Sequence, residues 1–502
     1  AALHFMGKTV ALRYDRAESM AARHKRHAMR VDYTLGADRE GRLTGAKVAV
    51  YSDEGAYAST GIAVCRKASS HATGPYRVPH VQVDVFGVHT NNNPTGAMRG
   101  FGAAQMAVAY EGMMDRLAAK LKVDRVEFRR ANLIRTGDAV TTGQVISQAN
   151  ALECLEAALK QYGSKPVPPG PLAAHLRRGW GVSVVCFGLG YGDGFPDASR
   201  ARVRLAEDGW LEVYSGVVDV GQGVENVIAQ IAAEEIGLDL DRTRVITADT
   251  LRTPESGSCS ATRSTFFTGN AVKLAAGELK EKLLDVAGKL MAVHPHELEL
   301  RDGCVLGCFD TTKKCTLAEL VAEARRRGFE LEGGGIFKPR TICEDFATGQ
   351  SPRAFITYLF GAHVSQVLVD TETGEVKVER HVACHDVGKA INPQAVRGQM
   401  AGGVAQGLGM ALMEEVVYGD GRIMNPGFTD YVLPGVRDVP PVECLILESN
   451  DPLGPYGAKG VGEPPLIGAV PAVLSAIYDA TGQAPNRLPC NPERVWQLVT
   501  EP

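Results

Sequence analysis

The sequence predicts an α+β protein built from mixed sheets and helices. Strand-like and helical stretches follow one another without the regular βαβ alternation of a parallel sheet. A late pair of strand-like runs reads as a hairpin, and one proline-dense stretch divides the chain. At 502 residues the chain is also longer than one hydrophobic core usually organises, which favours several domains.

The opening, Ala1 to Arg13, lacks a methionine and passes into the strand-like Thr9-Val10-Ala11-Leu12-Arg13-Tyr14, so it reads as the middle of a domain. Strands are expected over Lys47 to Tyr51 and Val81 to Val88. A helix is expected from Ala103 to Leu121, where Met106, Ala109, Tyr110, Met113, Met114 and Leu117 recur at helical spacing. The stretch GSKPVPPGP, residues 163–171, carries four prolines in nine residues and suits neither helix nor central strand. It is read as a linker between a unit at 1–162 and another at 172–502. Beyond it come strands over Ala201 to Leu205 and Trp210 to Ser215, then helices over Val224 to Ile236 and Gly269 to Leu290. Phe355 to Asp370 and Val376 to His385 form the hairpin, turned at Thr371-Glu372-Thr373-Gly374. Helices from Pro393 to Glu414 and from Ile467 to Ala480 close the pattern, with Gly402-Gly403 read as a helix-packing device. No internal repeat is visible.

Composition excludes several classes. A net charge of -4 gives no sign of a polyanionic partner, so nucleic acid is not expected. The basic runs Arg23-His24-Lys25-Arg26-His27 and Arg325-Arg326-Arg327 read as solvated faces or subunit contacts. No run approaches the roughly 20 apolar residues of a membrane span, and no signal-peptide order is present; a cytoplasmic location is expected. The 11 cysteines include no CxxC pair and are read as reduced thiols. Even Cys304, Cys308 and Cys315 match no zinc or cluster motif. A nucleotide-binding GxGxxG must open a helix, whereas Gly188-Leu189-Gly190-Tyr191-Gly192 runs into Asp193-Gly194-Phe195-Pro196; no GxxxxGK[ST] occurs. A serine or cysteine hydrolase is not expected, since no GxSxG elbow occurs.

What remains is a set of glycine-rich loops dense in hydrogen-bonding residues. They are Gly96 to Gly102, Gly221-Gln222-Gly223, Ser256 to Ser264, and Gly457 to Pro465. Glycine lets backbone amides approach a ligand closely, while hydroxyl, amide and guanidinium groups satisfy its polar atoms; such loops suit a large polar cofactor.

These loops carry a resemblance. AMRGFGAAQ, Ala97 to Gln105, closely resembles the AFRGFG-type signature of the molybdenum hydroxylases, the xanthine dehydrogenase and aldehyde oxidoreductase family. GQG at 221–223 resembles their pterin-binding glutamine loop, and YGAKGVGEPPL, Tyr456 to Leu466, is similar to their catalytic loop. GKAINPQAVRGQ, Gly388 to Gln399, falls in the family's order, and the likeness covers essentially the whole chain. The carbon monoxide dehydrogenase branch carries a cysteine-bearing loop in place of RGFG, and this sequence does not.

The resemblance implies two molybdopterin-binding domains and a molybdenum atom held by the pterin dithiolene, with no direct side-chain ligand. The pterin could be in its cytosine dinucleotide form. It implies Glu463 as the general base toward the metal's hydroxyl. It further implies that Gly221, Gln222, Gly223, Met98, Arg99, Gly100, Ala261, Thr262, Arg263, Ser264, Gln399 and Gly462 hold the cofactor. Read alone, Gln222 could instead cap the helix at Val224, and an arginine such as Arg99 could be a surface ion pair. Phe101 and Tyr191 fall where aromatic rings sandwich a flat substrate; Arg66 and Lys67 compete for a substrate-orienting position held by arginine in purine oxidisers.

The expected reaction inserts water-derived oxygen at a C–H of an N-heteroaromatic ring, purine- or nicotinate-like, or of an aldehyde. Electrons would pass to Fe-S and FAD subunits. The family's upstream GGxFG-type loop is missing, so the first domain is expected to be incomplete at its N-terminus, its other half supplied by a second chain or lost by processing. A non-catalytic assembly subunit of the same fold is the competing reading.

Overall fold

A computed structural model of the protein describes residues 4–8, 10–164, 172–345 and 347–501. The architecture is the expected mixture of sheets and helices. Its opening differs from the expectation. Thr9 lies outside the described residues, and Val10 to Asp15 join no sheet; the chain instead enters a helix at Arg16–Ala22. Asp15 and Glu18 form a reciprocal capping box that starts this helix, and Leu12 stays 77% exposed. Apolar alternation alone could not hold a strand there without a neighbour to take its backbone hydrogen bonds.

The first sheet pairs Met29–Ala37 antiparallel with Leu43–Gly55, which pairs parallel with His80–His89. Leu43–Gly55 alternates buried and outward positions, and helix Ala103–Leu121 lies close to Met29–Ala37. A second sheet is ordered Val442–Leu447, Val376–Asp386, Tyr358–Asp370, Leu176–Gly188. Its central hairpin is the one expected, while Leu176–Gly188 adds a strand that the sequence pattern does not announce. A third sheet, Glu332–Phe337, Ser199–Leu205, Leu211–Ser215, Thr243–Thr247, carries helices Val224–Ile236 and Gly269–Met291.

Helix Pro464–Thr481 organises the second sheet. It is apolar on nearly every side and buried for most of its length, as expected of a helix surrounded by protein. It lies directly on Leu176–Gly188 because Gly181 has no side chain: a Cβ there would sit 2.2 Å from the Ala476 nitrogen. Gly468 likewise presses on the His363 ring. Its other neighbour is helix Pro393–Leu412, two residues shorter than expected. Gly403 of that helix meets Pro465 and Gly407 meets Ala469 so closely that added Cβ atoms would stand 2.5 and 2.6 Å away, so the packing role expected at 402–403 falls to Gly403.

Gly163 ends helix Ala151–Gly163, and 165–171 of the expected linker lie outside the described residues. One apolar core runs across that point, joining Val48, Ala104, Met106 and Leu155 to Phe187, Phe360 and Leu466. A buried ion cluster stitches the same seam. Arg129, fully buried, binds Glu111 at 2.6 Å and Asp115 at 2.7 Å, and Glu111 also accepts the Val184 N–H. Among the described residues no helix is long and apolar enough to cross a membrane.

Candidate active site

Glu463 stands at the N-cap of helix Pro464–Thr481, its position fixed by Pro464 and Pro465 in the first turn. Glu463 is 8% exposed, and its carboxylate is held from two sides. Thr262 Oγ1 donates to Oε2 at 2.9 Å, and the Gly100 N–H donates to Oε1 at 3.3 Å. Burial raises the carboxyl above its ordinary pKa; the cations of Lys67 and Arg99 and these two hydrogen bonds pull the other way.

Two loops converge on it, and a third meets the second of them through Cys259. In the first, Gly100 (φ +97°) lets the backbone come against Leu466, and Phe101 adopts a left-handed φ of +42° with its ring half-buried. Arg99 donates to the Gly462 carbonyl at 2.5 Å and to the Gln399 carbonyl and side chain at 3.0 and 3.3 Å, which joins the RGFG loop, the catalytic loop and helix Pro393–Leu412. It is thus not a surface ion pair. Met98 is half-buried beside it, its carbonyl accepting the Phe101 N–H.

The second loop places Ala261 and Thr262 in consecutive left-handed conformations, φ +52° and +56°, unusual for non-glycine residues and most costly for a β-branched one. Gly460 makes room for it: a Cβ there would stand 2.5 Å from the Thr262 carbonyl oxygen. Arg263 is spent inside the protein, paired with Asp197 at 2.8 Å and donating to the carbonyls of Ala198, Ser256 and Ser258. Its guanidinium shapes the loop from beneath. Ser264 contacts Cys259, whose sulfur lies 3.1 Å from the Gln222 amide.

Gln222 belongs to the third loop and does not cap the following helix, whose N-cap is Gly223 with no side-chain hydrogen bond. Its amide donates to Val218 O, and its oxygen accepts from Val220 N. Cβ atoms at Gly221 and Gly223 would meet nothing within 4 Å, so this turn faces open space.

On the substrate side the structure separates the two competing cations. Lys67 is 3% exposed, its amine donating to Gly188 O at 2.6 Å and Gly190 O at 3.3 Å between the rings of Phe187 and Phe355. Burial lowers it to about 8. Arg66 turns toward Phe195, 5.4 Å from its ring. Tyr191 accepts from Ser258 N through its hydroxyl and lies near Arg263, 5.1 Å from its ring.

Several site-shaping residues are not singled out by the sequence, even where one lies inside a motif. Lys459 of the catalytic loop is fully buried against Asp386 at 2.7 Å, which anchors the loop to the second sheet. His71 is a neutral staple: its Nδ1 meets Lys67 O and its Nε2 accepts from Gly188 N, and burial lowers it to about 3. The run at 23–27, expected as a solvated face or subunit contact, turns partly inward. His27 is 3% exposed beside Glu54, and Arg26 donates to the Arg99 carbonyl at 2.7 Å. A run of like charges near one another in sequence need not share a face, since a bend at its middle can send neighbours opposite ways.

Comparison with known proteins agrees with this geometry. Residues 1–133 and 165–440 each match the molybdopterin cofactor-binding domain. The chain is 32% identical over 498 residues to the xanthine dehydrogenase molybdenum-binding subunit of Escherichia coli, covering 98% of this chain and 65% of that one. Quinoline 2-oxidoreductase from Pseudomonas putida 86 superposes with a TM-score of 0.86 at 27% identity, over 97% of this chain and 64% of that one. Aldehyde oxidoreductase from Desulfovibrio desulfuricans gives 0.84 at 28%, over 97% and 50%. The chain belongs to the molybdopterin cofactor-binding domain family. It spans between half and just under two thirds of the length of these relatives.

Proposed function

We propose that this chain is the cofactor-binding and catalytic part of a molybdenum hydroxylase, with Glu463 as its general base. The observation that carries the reading is the Glu463 carboxylate. It is buried and hydrogen-bonded, with a pKa raised by burial, and the RGFG, Ala261-Thr262 and GVGE loops meet around it. A raised pKa brings a carboxylate toward the range where it can accept and release a proton during turnover.

The residues suit a molybdopterin. Arg99, Gln399, Ser264 and the Gln222 amide offer donors and acceptors for a polar pterin and its phosphate, and the bare turn at Gly221 and Gly223 leaves room for it. The backbone of Met98, Gly100, Ala261, Thr262, Arg263 and Gly462 completes the cradle. Bound there, the cofactor supplies the two-electron oxidation. Glu463 takes the proton of the attacking oxygen, Thr262 and Gly100 hold the carboxylate in line, and Lys67, Phe101 and Tyr191 orient a flat ring.

The substrate reading is an N-heteroaromatic ring, with an aldehyde as the second; a relative described as a quinoline oxidoreductase supports the first and one described as an aldehyde oxidoreductase the second. Fe-S and FAD subunits would take the electrons. The units 1–162 and 172–502 would then be two cofactor-binding domains sharing one core.

The test is the molybdenum content and visible spectrum of the native assembly, with Glu463→Gln assayed at equal metal loading. A molybdenum-containing assembly and a roughly hundred- to ten-thousand-fold loss of turnover are expected. An assembly without molybdenum, or full turnover in the variant, overturns the reading and leaves a non-catalytic assembly subunit.

A further inference from the structure

The peptide between Arg99 and Gly100 is grasped at both ends. Its carbonyl accepts from Arg26 Nη2 at 2.7 Å, and its N–H donates to Glu463 Oε1 at 3.3 Å. In a trans peptide these two groups point in opposite directions, so whatever fixes the carbonyl fixes where the N–H aims. This plane needs fixing. Gly100 has φ +97° and no Cβ, so rotation of the plane meets little steric resistance from its own residue.

From this geometry we infer that Arg26 is a positioning residue for the proton chemistry of Glu463, acting through the Arg99–Gly100 peptide. The inference rests on Glu463 being the base. Arg26 acts in two ways. Its guanidinium locks the carbonyl and thereby presents the N–H to the carboxylate. It also draws electron density from the carbonyl oxygen, which strengthens that N–H as a donor. Both favour the ionised carboxylate.

The charged neighbours are accounted for on each side. Glu463 is faced by Lys67 from helix Gly61–Ser70, by Thr262, and by Arg99 and the Gly100 N–H from the RGFG loop. Arg26 is faced by Glu414, Tyr431 and Glu463; burial lowers it to about 10, and it remains charged at neutral pH. Glu414 is hydrogen-bonded to the Tyr431 hydroxyl at 2.9 Å and makes no ion pair with Arg26 within 4 Å among the described residues, so the Arg99 carbonyl keeps the guanidinium's hydrogen bond.

The experiment measures the pH profile of kcat/KM for the intact assembly carrying Arg26→Met, Arg26→Gln or Arg26→Lys, at equal molybdenum per chain. Without the lock the carboxylate binds its proton more tightly. The acid limb is therefore expected to move to higher pH, by about one unit in Arg26→Met, since a hydrogen bond to a charged group and one pKa unit are of similar size. Arg26→Gln, which keeps a donor without the charge, is expected to move it less, and Arg26→Lys least. A second readout is independent of turnover: thermal unfolding of wild type, Arg26→Met, Glu463→Gln and the double variant. Non-additive melting shifts are expected at pH 8, shrinking toward pH 4 where the carboxylate is protonated. Unmoved acid limbs in both Arg26→Met and Arg26→Gln, or additive shifts at pH 8, overturn the inference. Full turnover in Glu463→Gln would instead remove the base reading itself, so the two failures are distinct.

Discussion

Thr262 and Glu463 clasp each other twice: Thr262 Oγ1 donates to Glu463 Oε2 at 2.9 Å and accepts the Glu463 backbone N–H at 3.1 Å. One hydroxyl therefore serves both the carboxylate and the first turn of the helix that carries it. Thr262→Val removes the donor and should raise the carboxyl further, which moves the acid limb of kcat/KM upward by up to about one pH unit. Thr262→Ser keeps the hydroxyl and should hold the limb in place. Equal limbs in the two variants would contradict this role.

The raised pKa of Glu463 also has a cost in stability. Its folded-state pKa lies above 4.5, so the folded protein holds this proton more tightly than the unfolded chain. Stability is then lost as pH rises from about 4.5 through the folded value and stays lost above it. Glu463→Gln should melt higher than wild type at pH 8 and close to wild type near pH 4. Scanning calorimetry across that window tests it; a gap that does not change with pH would refute it.

Lys67 runs the opposite way. Burial depresses its amine from 10.5 to about 8, so the proton it carries at neutral pH destabilises the fold. That penalty is full below pH 8 and fades between 8 and 10.5, as the folded protein gives up the proton first. Lys67→Met should be stabilised at pH 7 and should converge on wild type by pH 10.5. If the ammonium also orients the substrate, wild-type kcat/KM should fall above pH 8, and this alkaline limb should be missing in the variant.

The anchor beneath the catalytic loop is testable by stability alone. Lys459 and Asp386 are both fully buried at 2.7 Å, and Asp386 further accepts from Asn150 and Ser449. Lys459→Met strands a buried carboxylate and should cost about 3–5 kcal/mol. The double variant Lys459→Met/Asp386→Asn should recover a good part of it. Denaturant unfolding that shows no recovery would argue against the pairing.

Gly468→Ala probes the helix that carries Glu463. A Cβ there would stand 2.3 Å from the His363 ring, which is itself wedged between His381 and His385 at 2.8 Å on each side. With no slack in that histidine row the helix must shift, at about 1–3 kcal/mol. Both melting temperature and turnover should fall; an unchanged melting temperature would show that the row can yield.

Most long elements were legible because their patterns are local. Helix Ala103–Leu121 and helix Val224–Ile236 begin and end where the sequence pattern puts them, and the hairpin at Tyr358–Asp370 and Val376–Asp386 follows its turn. Leu176–Gly188 escaped because, although it closes one edge of its sheet, most of it is buried on both faces and so shows no alternation. The early strand at 9–14 misled because alternation says nothing about whether a partner strand is present. In the site, residues within motifs were visible and residues acting from outside them were not. Arg26, His71 and Asp386 reach it only through the fold, and nothing adjacent in sequence marks them. Arg263 shows the converse, a motif residue whose guanidinium faces the interior.

The hydrogen bond from Gly100 to Glu463 joins positions 363 residues apart, and that from Thr262 another 201. Closing such loops is among the slowest events in folding, because the entropy of the intervening chain is lost before the contact repays it. A ribosome still translating residue 460 has made the loops at 99–102 and 261–264 and none of this clasp, so a cofactor that depends on it can be captured only after synthesis has passed that point.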